Sequence, residues 1–171
     1  MATSNTGITF KGNPATLTGT SVSVGKPLPQ FKVTANDMSD LTNENFAGKV
    51  LIISVVPSLD TPICDLQTKH FNHDAAAMGD TAAVLTVSRD LPFAQKRWCA
   101  AADATNVITA SDYRYRTFGE AFGVLLDNLQ LLARAVVIAD KSGVVQYVEY
   151  VDEVTNEPNY EAALTAAKSL L

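Results

Sequence analysis

The sequence is poor in the residues that most often carry chemistry. Its 171 residues include two cysteines, Cys64 and Cys99, and two histidines, His70 and His73. A structural zinc centre needs about four Cys or His ligands at close spacing, and these four do not show it. The cysteines are also too far apart for a thioredoxin-type Cys-x-x-Cys. Basic residues are scarce: 13 Lys and Arg against 18 Asp and Glu leave a net charge of −5. They form no cluster, which excludes a nucleic-acid surface. No apolar run approaches the roughly 18 residues that a membrane-spanning helix requires. The first residues, MATSNTGITF, lack the basic start and apolar core of a signal peptide, so the expected location is cytoplasmic. No internal repeat, low-complexity segment or second-domain boundary is present.

What remains is an ordinary globular balance, 47% hydrophobic and 18% charged. That suits a single domain over residues 1–171 with a sizeable core. In a reducing compartment two cysteines are reactive groups before they are staples.

The chain is organised around residues 50–64, VLIISVVPSLDTPIC. Residues 50–56 are β-branched and aliphatic and predict a buried strand, stopped by Pro57 and a short polar turn. A helix start follows. Thr61 is a good N-cap residue, and Pro62 suits the first helical position because its missing N–H would have no partner there. Cys64 then falls in the first turn, where unpaired N–H groups and the helix dipole favour an anion. Cysteines at such positions ionise more readily than a free thiol and become nucleophiles. At ~100° per residue, His70 and His73 point about 120° and 180° away from Cys64, so a Cys–His pair on one helix is not expected.

Around that stretch the sequence predicts an N-terminal hairpin over residues 7–24, turning at Lys11-Gly12-Asn13-Pro14. A short strand at 31–34 and a loop or helical turn at 40–46 come next. A helix over 62–78, a strand over 81–87, a helix over 91–102 capped by Asp90 and a short strand at 106–109 follow the cysteine. The chain then predicts a helix at 115–122, an apolar strand at 132–139 and a further strand at 144–151, joined antiparallel by the Asp140-Lys141-Ser142-Gly143 turn. A helix from 159 ends the chain. This order predicts an α/β fold, a mixed central sheet with helices on both faces and an N-terminal β-hairpin.

The segment Pro57-Ser58-Leu59-Asp60-Thr61-Pro62-Ile63-Cys64 resembles the signature of the peroxiredoxins, which have a thioredoxin-like fold. Phe10-Lys11-Gly12-Asn13-Pro14, Asp90-Leu91-Pro92-Phe93-Ala94-Gln95 with Cys99, and Leu132-Ala133-Arg134-Ala135-Val136 resemble one branch of them, the atypical two-cysteine thiol peroxidases of bacteria. The resemblance implies that Cys64 is the peroxidatic cysteine and Cys99 the resolving one, joined as an intramolecular disulfide in each cycle. Thr61, Pro57 and Arg134 would complete the catalytic site. It further implies a hydroperoxide substrate, a thioredoxin or similar dithiol as reductant, a homodimer and no cofactor. The loop 125–130 and Arg89 depart from the family pattern, which bears on substrate preference.

The chemistry agrees with that assignment independently. A thiolate attacking a peroxide oxygen develops charge on the departing oxygen, and the site needs donors for both oxygens. Thr61, the first-turn N–H groups and Arg134, the one cation in an apolar stretch, can supply them. Two cysteines on separate helices also predict local unwinding when a disulfide forms, because its Cα atoms must come within roughly 4.4–6.8 Å. Each residue has a plainer reading. Cys64 or Cys99 could be an inert core thiol, Arg134 could lie exposed at a strand end, Thr61 could be a cap and nothing more, and Phe93, Trp98 and Phe118 could be core or interface. At the level of function, a thiol-disulfide oxidoreductase and a redox-responsive binding module stand beside the peroxidase.

Overall fold

The computed structural model describes residues 7–171. In chain order its elements are β1 (Thr9–Phe10), β2 (Asn13–Pro14), β3 (Leu17–Thr18), β4 (Lys32–Ala35), β5 (Asp40–Thr42), β6 (Val50–Val55), α1 (Pro62–Ala75), β7 (Ala82–Ser88), α2 (Pro92–Ala101), β8 (Ile108–Ser111) and α3 (Phe118–Ala121). β9 (Leu125–Leu126), β10 (Leu131–Leu132), β11 (Ala135–Ala139), β12 (Val145–Tyr150) and α4 (Tyr160–Lys168) complete it, with 3₁₀ turns at Asn43–Phe46 and Gly79–Thr81. Among these, no helix is long and apolar enough to cross a membrane.

Seven strands form one sheet in the order β12-β11-β6-β7-β8-β4-β5. β6, β7 and β8 run parallel, while β11 is antiparallel to both β6 and β12. All six residues of β6 are buried, which is why this strand reads as an unbroken apolar run rather than an alternating one. Its period of two still sorts the side chains. Val50 and Ile52 meet Phe71, Trp98, Val136 and Ala163 on one face; Leu51, Ile53 and Val55 meet Phe31, Phe118 and Phe122 on the other. The connections through α1 and α2 both step from β6 toward β8. Right-handed crossovers therefore put both helices on one face, where α4 joins them. α3 and the Asn43–Phe46 turn cover the opposite face, so the mixed sheet has helices on both sides as expected.

The N-terminal segment differs from expectation. The hairpin is only β1 and β2, pairing Thr9 with Pro14 and Phe10 with Asn13. Beyond these pairs one more bond follows, from the Ala15 N–H to the Ile8 carbonyl at 2.9 Å. The chain then leaves, and β3 pairs with β9 in a separate sheet of order β10-β9-β3. Gly19 makes that route possible: it passes so close to the Glu120 backbone that a Cβ there would collide with the Glu120 carbonyl. Three further boundaries move. The strand expected at 132–139 is divided into β10 and β11 with Arg134 in the break, the helix expected at 115–122 shrinks to α3, and β5 takes part of the loop read at 40–46. Asp90 does not cap α2. Leu91 holds that position, and the Asp90 carboxylate is engaged elsewhere.

Candidate active site

β6 delivers the chain to the carboxyl end of the sheet, where the Val56 N–H donates to the Val87 carbonyl at 3.0 Å and Pro57 ends the strand. The turn that follows is pinned by Asp90, whose carboxylate accepts from Ser58 Oγ at 2.7 Å, Leu59 N at 2.8 Å and Ser88 Oγ at 2.7 Å. Thr61, in extended backbone with Pro62 following it, is the N-cap of α1, yet its hydroxyl caps no helix N–H. Oγ1 lies instead 2.8 Å from the Ser58 carbonyl and 2.7 Å from Cys64 Sγ.

Cys64 is completely buried. A second group faces its sulfur: Arg134 Nη2 lies 3.5 Å from Sγ. Arg134 is 2% exposed, and its other donors are fixed. Nε donates to the Val154 carbonyl at 2.8 Å and Nη1 to Gln67 Oε1 at 2.7 Å. Gln67 is held in turn by Nε2 donating to Ser54 Oγ at 2.7 Å. None of these acceptors is a carboxylate, so the buried cation keeps its charge for the sulfur and whatever stands beside it. A cavity of about 250 Å³ opens next to the pair, with Pro57, Thr61 and Arg134 in its lining and Phe10, Leu131 and Val154 as apolar wall. A cation and a hydroxyl are thus directed at one buried sulfur, in the first turn of α1 and beside a small apolar cavity. Such a site can support attack by sulfur and hold charge on a departing oxygen.

Cys99 sits on α2 with different neighbours. Its sulfur is 3.3 Å from Thr109 Oγ1 and accepts from Asn36 Nδ2 at 3.9 Å. Both thiols are free. The segments that carry them are nevertheless tied, because Trp98 Nε1 donates to Asp65 Oδ1 at 3.0 Å and Arg97 Nη2 lies 3.4 Å from Asp60 Oδ2. His70 stacks on Tyr160 at 3.9 Å and His73 is exposed; neither is among the hydrogen-bond partners of Cys64. Cys64, Thr61, Arg134 and Pro57 therefore meet, whereas the Cys99 sulfur has Asn36 and Thr109 as its polar neighbours.

Sequence reasoning missed Gln67, Asp90 and the Val154 carbonyl. Gln67 had a signal: three residues after Cys64, it is a polar residue on the buried side of the same helix. Arg89, noted as a departure from the family pattern, lies with Nε 3.2 Å from Asp112 and with Nη1 donating to the Gln130 carbonyl at 3.1 Å. Burial pushes the Asp112 carboxyl up, opposed by the Phe118 N–H and the Arg89 charge.

Residues 23–164 match the Redoxin family. The chain is 56% identical to a thiol peroxidase of Halalkalibacterium halodurans, over 96% of this chain and 98% of that one. It is 52% identical to a thiol peroxidase of Bacillus subtilis over the same shares. Among solved structures, a peroxiredoxin-like protein from Aquifex aeolicus superposes with a TM-score of 0.90 at 44% identity, covering 96% of each chain.

Proposed function

The chain belongs to the Redoxin family, and from that premise we propose that it is a thiol peroxidase of the peroxiredoxin type, with Cys64 as peroxidatic and Cys99 as resolving cysteine. The Cys64 thiolate attacks the terminal oxygen of a hydroperoxide. The S–O bond forms as the O–O bond breaks, leaving a sulfenic acid on Cys64 and an alkoxide or hydroxide that takes a proton to become alcohol or water. Arg134 and Thr61 hold the two oxygens, and Pro57 closes the cavity wall. The Cys99 sulfur then attacks the sulfenic sulfur, expels water and forms the Cys64–Cys99 disulfide. A thioredoxin-type dithiol returns both cysteines to thiols. The single observation carrying this reading is the convergence of Thr61 Oγ1 and Arg134 Nη2 on Cys64 Sγ, at 2.7 and 3.5 Å, beside the cavity.

In this reading residues 1–171 act as one domain in the cytoplasm. A homodimer fits the exposed Leu91 and Phe93 at the start of α2, the latter 66% exposed, as apolar surface for a second copy. A monomer mass by light scattering would remove that part alone. Peroxide consumption coupled to a thioredoxin system tests the rest. Cys64→Ser is expected to lose about a thousandfold or more in rate. Cys99→Ser is expected to complete one turnover and stop with Cys64 oxidised. Undiminished steady turnover in Cys64→Ser contradicts the assignment.

A further inference from the structure

We infer that Glu153 is a positioning residue that fixes the apolar wall of the peroxide cavity, and so sets how well the site takes hydroperoxides with an apolar substituent. The inference rests on the peroxidase reading of the cavity beside Cys64. That cavity is bounded on one side by the hairpin of β1 and β2, through Phe10 and Lys11. Two strands of two residues do not hold a fixed position by themselves. Lys11 and Gly12 both have positive φ, 52° and 75°, and such a turn gathers consecutive N–H groups toward one anion. The anion is Glu153. It accepts from Lys11 N at 3.0 Å, Gly12 N at 2.9 Å and Thr9 Oγ1 at 2.7 Å.

The same carboxylate works on the other side of the wall. It accepts from Thr155 N at 3.0 Å and Thr155 Oγ1 at 2.6 Å, closing residues 153–155 into a tight turn. Val154 is held between the two halves: its N–H donates to the Thr9 carbonyl at 2.9 Å, and its carbonyl accepts from Arg134 Nε. One side chain thus fixes the hairpin and the 153–155 turn that together form the wall, while Gln67 Oε1 anchors Arg134 independently of it. The hydrogen bonds from Thr155 and Gly12 hold the Glu153 carboxyl far below the usual carboxylate range, so it is ionised throughout neutral pH. Hydrogen peroxide needs only the two groups on the sulfur. A bulkier hydroperoxide extends toward Phe10, Leu131 and Val154, and depends on the wall as well.

Glu153→Gln keeps the shape, removes the charge and turns an N–H donor toward donors. The ratio of kcat/KM for cumene hydroperoxide to that for hydrogen peroxide is expected to fall about tenfold, mainly through KM for cumene hydroperoxide. Hydrogen exchange of the Lys11 and Gly12 amides is expected to accelerate in this variant. Phe10→Ala removes wall surface without touching the carboxylate, and should lower the same ratio while leaving Gly12 protected. An unchanged ratio in both variants, or unchanged exchange at Lys11 and Gly12 in Glu153→Gln, overturns the inference. So does an equal loss for both peroxides. The exchange measurement needs no turnover, so a wild-type protein inactive toward both peroxides would refute the peroxidase reading separately from the Glu153 clamp.

Discussion

Thr61 has one hydroxyl proton and two acceptors within reach, the Ser58 carbonyl and Cys64 Sγ. With Cys64 protonated, the S–H can point to Oγ1 while Oγ1 donates to Ser58. Once Cys64 ionises, the hydroxyl turns to the sulfur and is placed for a peroxide oxygen. This switch needs a hydroxyl, not a threonine. Thr61→Val is expected to lower kcat/KM for hydroperoxides by about 10²–10³, and Thr61→Ser to stay within about tenfold of wild type, both read by stopped-flow peroxide reduction. Equal losses in the two variants would make the hydroxyl irrelevant. At this scale the neighbourhood of Cys64 was legible because it is local: a strand stop, a cap and a proline within eight positions of one another. Gln67 and the Val154 carbonyl were not legible as partners of Arg134. Their contacts span 67 and 20 positions and depend on where α1 and the turn after β12 come to rest.

At the scale of elements, α1 and α2 are joined next to both cysteines. Asp65 adjoins Cys64 and Trp98 adjoins Cys99, and their hydrogen bond must break if the two segments unwind toward a disulfide. Removing it by Asp65→Ala is expected to speed closure several-fold, about the worth of one charge-assisted hydrogen bond at most. Trp98 fluorescence after peroxide addition measures this, and an unchanged or slower rate would show that the link does not restrain the step. The β11–β12 turn gives a pH dependence. Asp140 accepts from Ser142 Oγ, Val144 N and Gln146 Nε2, and the Ser142 hydroxyl is the main cause that lowers its pKa to about 2. A carboxylate lowered on folding contributes stability that is present above its unfolded pKa of about 3.9 and is lost as pH falls through about 2. Urea midpoints between these limits should therefore rise with pH, less steeply in Asp140→Asn; equal slopes would contradict the assignment. The Asp-x-x-Gly spacing announced this turn, since it carries its own chemistry. β5 and β9 carry no such mark: each is two or three residues long and exists by pairing with a partner that sequence does not identify.

For the whole molecule, the alternation of apolar runs and helical stretches from Val50 onward was enough to predict the mixed sheet, because buried strands must read as apolar and each crossover must be right-handed. Within residues 7–31, only the short hairpin at Lys11-Gly12 was readable in this way. β3 finds its partner at β9, on the far side of the cysteine segment, and the route goes with the close passes of Gly19 over Glu120 and of Gly123 against Thr20 and Ser21. On the proposed mechanism, a peroxide entering beside Arg134 ends as a bond between two thiols that are free and separately held before reaction. Trp98 is the sole tryptophan and lies next to Cys99. The most direct measurement is rapid mixing of reduced protein with one equivalent of cumene hydroperoxide, followed by Trp98 fluorescence and then intact mass. A fast fluorescence change and a loss of about 2 mass units are expected, both absent in Cys64→Ser. A slow change, or one that persists in Cys64→Ser, contradicts the mechanism.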